Sequence, residues 1–212
     1  ATLLTADWAW PGDLAVDSTN LYWDNSSTGT LFKLPLAGGV AATLASLQNR
    51  PIGLAVDGAN LYWTNNPLST TGSVLSTPFD GGVARTLASG QQRPGGLTIG
   101  ATAAYWVEHE TNCTGTGSLW SVDRASGTVR RLFSQSCPDY VAVDGTHLYW
   151  TTQDGAVRRS PLDGGTVQPV ATGQDFPQRI RVDAIAVYWT TFSKIMKFTK
   201  ADSKVHTLAE AQ

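Results

Sequence analysis

The sequence predicts an all-β chain of five consecutive four-stranded antiparallel meanders, and three observations carry that prediction. The stretch from Arg50 to Thr64 recurs in altered form: aligned on a Tyr-Trp pair, five copies end at Trp23, Trp63, Trp106, Trp150 and Trp189, with spacings of 40, 43, 44 and 39 residues. A period near forty that varies by a few residues marks a fixed structural unit with loops of adjustable length. Each copy carries short apolar runs separated by turn residues, and no segment has helical periodicity. Four strands per unit of about forty residues, repeated in tandem, describe the blades of a five-bladed β-propeller; solenoids would show helical periodicity or much shorter units.

The elements follow in order within each unit. Strand a is a run such as Leu54-Ala55-Val56, strand b a run such as Leu61-Tyr62-Trp63, and Asp57-Gly58-Ala59-Asn60 between them supplies turn chemistry. About ten residues on comes strand c, Ser73 to Pro78, then a turn at Asp80-Gly81-Gly82, then strand d, Ala84 to Ala88. The same hairpin tip recurs at Ala37-Gly38-Gly39, Ser126-Gly127, Asp163-Gly164-Gly165 and, without glycine, Ala201-Asp202-Ser203. Glycine suits these tips because hairpin turns often need positive φ. A single domain over 1–212 is expected, with blades at about 10–47, 50–90, 93–134, 137–173 and 176–209. Residues 1–7 match a fourth strand, an extra outer strand that closes the ring. Either terminus can serve as that closing strand, and the alternative is part of a six-bladed propeller.

Leu-Ala-Val-Asp at 54–57 followed by Leu-Tyr-Trp-Thr at 61–64 resembles the YWTD class of propeller repeats, the LDL-receptor class B type, in the variant found in tandem in secreted bacterial proteins. That family is typically six-bladed, whereas five copies stand here. Its last motif letter, Asp, is replaced by Asn25, Asn65, Glu108, Thr152 and Thr191.

Composition narrows the function. Fifteen Lys and Arg against 17 Asp and Glu leave a net charge of -2, so no broad attraction to nucleic acid or an anionic membrane is encoded. No run approaches the length of an apolar membrane span. Few charges, abundant Gly, Thr and Ser and a single Met suit a secreted all-β protein, extracellular or periplasmic. The chain opens at Ala1-Thr2, as a processed mature chain or an arbitrary boundary would.

In a meander the d-to-a links and b-to-c loops share one face, and the a-to-b and c-to-d turns share the other. The loop face carries the variation in length, from Thr151–Gly155 to Val107–Gly117, and loops on a rigid scaffold are where recognition is usually placed. Cys113 in a b-to-c loop and Cys137 in the next d-to-a link both fall on that face. They are expected to form a disulfide, which implies an oxidising compartment; two buried free thiols are the alternative. Two cysteines with no histidine at ligand spacing do not make a metal site.

The recurring Asp17, Asp57, Asp144 and Asp183, with Gly100 in the equivalent place, read as turn-capping residues, and the Tyr and Trp of the repeat as packing between blades. Binding is sought where the repeats disagree. Before the recurring proline stand Trp10, Arg50, Arg93, Cys137 and Phe176; two residues after it stand Asp13, Gly53, Gly96, Tyr140 and Arg179. Aromatic, guanidinium and carboxylate groups converging there suit a small polar ligand, a glycan or a peptide. The candidates are Trp8, Trp10, Asp13, Arg50, Arg93, Tyr140, Phe176 and Arg179. The preferred location is the aromatic seam of Trp8, Trp10, Asp13, Phe176 and Arg179, with the long-loop side of Arg50, Arg93, Glu108 and His109 competing. Alternatively, the aromatics staple the links and the arginines are solvated.

Catalysis finds little support. His109, His147 and His206 fall on separate places, and no nucleophilic triad, phosphate loop or metal-binding pair is visible. The expectation is a monomeric binding module without cofactor, metal, nucleic-acid partner or membrane span. A propeller-type lyase or lactonase-like hydrolase is the alternative, since fold does not decide function.

Overall fold

The computed structural model describes residues 11–109 and 116–210. It has the fold class of a five-bladed β-propeller: the described strands form five four-stranded antiparallel sheets, and among the described residues there is no helix. The extra strand expected at 1–7 lies outside the described residues, as do Trp8, Trp10, Glu110 and Cys113.

The chain divides into two compact units, Ala1–Pro94 and Gly95–Gln212. The first carries two sheets, β1 (Pro11–Val16) to β4 (Ala42–Ala45), by way of β2 (Asn20–Asn25) and β3 (Thr30–Pro35), then β5 (Pro51–Val56), β6 (Asn60–Asn65), β7 (Gly72–Pro78) and β8 (Arg85–Gln91). The second carries three. They are β9 (Pro94–Ile99), β10 (Ala103–Glu108), β11 (Thr116–Asp123) and β12 (Val129–Ser136); β13 (Pro138–Val143), β14 (His147–Thr152), β15 (Ala156–Pro161) and β16 (Gln168–Ala171); and β17 (Ile180–Val182), β18 (Ala186–Thr190), β19 (Lys194–Thr199) and β20 (Lys204–Glu210). In every sheet the strands lie side by side in sequence order.

The repeat residues fill the spaces between sheets. In the first unit Tyr22, Leu31, Leu61 and Trp63 form one buried cluster, and in the second Tyr105, Val107, Leu148 and Trp150 form another, with Tyr149, Ile180, Val187 and Trp189 a third. Trp63, Trp106 and Trp150 are fully buried, so the Tyr-Trp pair is core, as its fivefold recurrence predicts. Two of the indoles also share a polar anchor that the sequence reading missed: Trp63 Nε1 donates to Gln48 Oε1 at 3.2 Å and Trp189 Nε1 to Gln174 Oε1 at 3.1 Å. Each glutamine sits in the link fifteen residues before its tryptophan and satisfies an N–H that burial would otherwise strand.

The aspartates end strand a as expected. Asp17 Oδ1 accepts the N–H of Thr19 and Asn20 at 2.7 Å, and Asp57, Asp144 and Asp183 accept equivalent pairs. The second carboxylate oxygen does further work, accepting the hydroxyl of the tyrosine five residues on: Tyr22 at 2.8 Å, Tyr62 at 2.6 Å, Tyr149 at 3.2 Å and Tyr188 at 3.1 Å. One side chain thus ties the turn to the core tyrosine.

The altered motif letter finds local employment on the loop face. Asn25 Oδ1 accepts from Ser27 N and Thr28 N at 3.1 Å, Glu108 accepts Trp120 Nε1 at 2.7 Å, and Thr191 Oγ1 accepts Lys194 N at 3.0 Å. Asn25 and Thr191 hold the start of the b-to-c loop, and Glu108 ties the end of β10 to β11.

Candidate functional site

The first strand of a sheet reaches the loop face through a fixed device. Arg50, Arg93, Cys137 and Phe176, the residues before the recurring proline, have φ of 56°, 47°, 37° and 48°. This left-handed backbone is uncommon for residues other than glycine and is found where surrounding structure over-determines it. Just past the proline the pairing with strand b slips, between Pro11 and Leu14, Ile52 and Ala55, and Pro138 and Val141. A bulge of this kind bends the strand and re-aims the side chains within it. The position two residues after the proline lies in that slip, which is why repeats that agree elsewhere differ there without disturbing the core.

In the first unit the bulge is spent on structure. Asp13 N donates to Asp24 Oδ2 at 3.0 Å, and Asp13 Oδ2 accepts Gly53 N of the next sheet, also at 3.0 Å. Gly53 stands at φ 63°. Asp24 is fully buried, and a Cβ on Gly12 would lie 2.2 Å from its Oδ1. The Asp13 side chain, expected to face a ligand, therefore holds the Gly53 backbone, while its own backbone is held by Asp24. Arg50 is exposed and donates to Asn66 O at 3.3 Å; Arg93 is exposed.

In the second unit the same positions carry side chains toward one another. Gly96 comes first, at φ 50°, and a Cβ there would lie 2.8 Å from Asp139 O and 3.1 Å from Tyr140 Cα. Only a residue without a side chain lets the next bulge approach so closely. Tyr140 follows, its N–H on Thr151 Oγ1 at 3.2 Å, and the Arg179 guanidinium lies 4.5 Å from the centre of the Tyr140 ring. His109, from the b-to-c loop after β10, brings Nδ1 to 3.8 Å from Asp139 Oδ1, with side-chain exposures of 21% and 23%. Burial holds the Asp139 carboxyl above the usual carboxylate range, against the opposing pull of His109 and Arg179. Phe176 is 66% exposed.

The second unit thus gathers Tyr140 and Arg179, which were expected at the site, with His109, which was assigned to a competing location, and Asp139, which was missed. The signal for Asp139 was present: the residue after the recurring proline is Gly12, Ile52, Gly95 and Gln178 in the other copies, and a charge in this one. An aromatic face, a cation on it, and a half-buried carboxylate beside an imidazole form a group able to hold a polar ligand by stacking and directed hydrogen bonds. Among the described residues no group of three or more His, Cys, Asp or Glu is placed to hold a metal ion.

No protein-family model matches the chain, and no curated protein matches it. Solved structures do. The chain is similar to one in the crystal structure of the nidogen/laminin complex, at 20% identity and a TM-score of 0.79, over 95% of this chain and 80% of that one. It is also similar to streptogramin B lyase, at 16% identity and a TM-score of 0.74, covering 95% and 69%. A third similar structure is that of regucalcin, a calcium-binding protein of Agrobacterium tumefaciens, at 20% identity and a TM-score of 0.72, covering 95% and 74%. These likenesses support the YWTD-like β-propeller reading at the level of fold. These proteins include binding proteins and an enzyme, so the fold does not choose between the two.

Proposed function

We propose that the chain is a binding module that takes a small polar ligand, a glycan or a peptide, on its loop face, with Tyr140 and Arg179 as the central contacts. The observation that carries this is the cation–π pair at 4.5 Å flanked by Asp139 and His109. A tyrosine ring offers a large stacking area at low entropic cost, and the Arg179 fork and Asp139 carboxylate supply one donor set and one acceptor set. Phe176, 66% exposed, belongs to the rim of this reading, whereas Asp13, Arg50 and Arg93 lie in the first unit and remain proposed contacts of that unit's own loop face. Trp8 and Trp10, outside the described residues, remain proposed contacts.

Secretion belongs to the same reading. Cys137 is buried at 3% exposure and is not a free thiol, which supports pairing with Cys113. No helix among the described residues is long and apolar enough to cross a membrane. One similar structure was solved in a complex of two proteins, which favours a peptide or protein partner over a purely saccharide one.

The test is a thermal-shift screen with monosaccharides, oligosaccharides and short peptides, followed by titration of Tyr140→Ala and Arg179→Ala. A ligand of the native state raises the melting temperature by mass action, and each substitution should weaken binding about tenfold or more. A hit that both variants bind as tightly as the parent would remove the site.

One observation favours catalysis as a second reading. A carboxyl whose proton affinity is raised by burial, 3.8 Å from an imidazole, is a usable acid–base pair. A lyase or lactonase-like activity would then depend on Asp139 and His109. Turnover of lactones or of streptogramin B by the parent, lost in Asp139→Asn with ligand affinity kept, would establish it.

A further inference from the structure

The turn face of the third sheet departs from the repeat at one residue, and the tyrosine that this leaves without a carboxylate lines a cleft. Four sheets end strand a with an aspartate whose two oxygens serve two turn amides and a tyrosine hydroxyl; the third sheet has Gly100 there. Its tyrosine, Tyr105, is 4% exposed, and among the described residues nothing accepts its hydroxyl. Burial alone shifts Tyr105 upward, whereas the carboxylate partner contributes to the shifts of Tyr22, Tyr149 and Tyr188. The glycine is not demanded by the backbone, because Gly100 is not among the residues at positive φ. An added Cβ would meet the Tyr105 ring at 3.1 Å, a side-chain contact that can yield.

Tyr105 lines a cleft of about 420 Å³ with Ser121, Thr128, Arg130, Leu132 and Leu162. Arg124 donates to Gly100 O at 3.0 Å and to Ala101 O at 2.5 Å, placing a guanidinium on the same turn. Asp123 and Asp163 also line the cleft, but the Asp123 carboxylate is held by Ser126 N at 2.7 Å and Ser126 Oγ at 2.8 Å. Leu132 and Leu162 make one wall apolar.

We propose that this cleft binds a small molecule through a carboxylate group, seated where an aspartate side chain sits in the other four sheets. The donors are the Tyr105 hydroxyl and the N–H groups of Thr102 and Ala103, the counterparts of the amides that the aspartates serve elsewhere. Arg130, on the cleft wall, offsets the ligand's charge, and its aliphatic part lies against Leu132 and Leu162. Asp163 at the rim selects against dicarboxylates and for a neutral or cationic far end. This site lies at the opposite end of β10 from His109 and does not depend on the loop-face reading.

The experiment is a titration of the whole chain with propionate, and with propionamide as its neutral isostere, followed by amide resonances and melting temperature. In the parent, propionate should shift the Thr102 and Ala103 amides saturably, and propionamide should bind at least about tenfold more weakly, the difference a charged acceptor makes. Tyr105→Phe, which keeps the ring, should weaken propionate about tenfold. Gly100→Asp supplies the carboxylate in the chain itself, so it should abolish propionate binding while raising the melting temperature. Equal binding of propionate and propionamide would overturn the proposal, as would undiminished binding by Gly100→Asp. A stabilised Gly100→Asp with no saturable shift in the parent would reduce the glycine to a lost turn contact and also overturn it.

Discussion

The two faces of the sheets use side chains in opposite ways. On the turn face the same aspartate makes the same three bonds in four sheets, to two backbone amides and a tyrosine hydroxyl. On the loop face four residue types share the position two residues after the proline, and they do different things: Asp13 holds Gly53, Gly96 gives way, Tyr140 and Arg179 stack. Repetition accompanies bonds to backbone, which every copy needs. Divergence accompanies a position whose role changes from copy to copy, from a backbone bond at Asp13 to the partly exposed stack of Tyr140 and Arg179. The difference tells which face to mutate for stability and which for recognition.

The comparison can be broken first with acid. Burial works against the charge on Asp17 but is outweighed by the bonds from Thr19, Tyr22 and Asn20, which bring its pKa from 3.8 to about 2. Asp144 is lowered as well, by Lys200 and its turn amides over the cost of burial, and Asp183 by the amides of Ile185 and Ala186. A carboxylate with a depressed folded-state pKa contributes stability that is whole above its unfolded value and lost as pH falls through the folded one. Denaturant midpoints should therefore hold above about pH 4 and fall steeply toward about pH 2. A flat profile there would deny the turn face its structural role.

A single-site version comes next. Asp144→Ala removes two amide acceptors, the Tyr149 bond and the 2.7 Å contact with Lys200 Nζ, and should cost about 2–3 kcal/mol in urea unfolding. Gly96→Ala asks whether any loop-face bulge residue is structural. Its positive φ and its 2.8 Å approach to Asp139 O set the cost at about 1–2 kcal/mol, with the Tyr140–Arg179 pair displaced. Arg93→Ala, at an exposed position, should change stability by no more than about 0.5 kcal/mol, and a larger loss would show that the link depends on it.

Much of this was legible in the sequence because it repeats. Five Tyr-Trp pairs at a period near forty disclosed the sheets, and the aspartate before each turn disclosed its role through chemistry that needs only local backbone. The site was half legible. Tyr140 and Arg179 stood out by disagreeing with their counterparts, but their pairing depends on a bulge that no residue pattern announces. Asp139 was overlooked because attention went to the second position after the proline instead of the first. Arg50, Arg93, Cys137 and Phe176 gave no hint of left-handed backbone, since none is a residue type that favours it. Gln48 and Gln174 were passed over because a glutamine in a link looks solvated until its indole partner is seen.

The order of strands in each sheet follows the order of the chain, so every pairing within a sheet is between strands adjacent in sequence. Loop-closure entropy rises with loop length, and chains rich in such local pairings reach their transition state quickly for their size. Each meander of some forty residues is therefore able to nucleate where it stands, with its tyrosine and tryptophan waiting only for an adjacent sheet to cover them. Protection from hydrogen exchange should spread from sheet to neighbouring sheet within a unit. The kinetics of this chain would then resemble a short row of coupled blocks more than one long-range collapse.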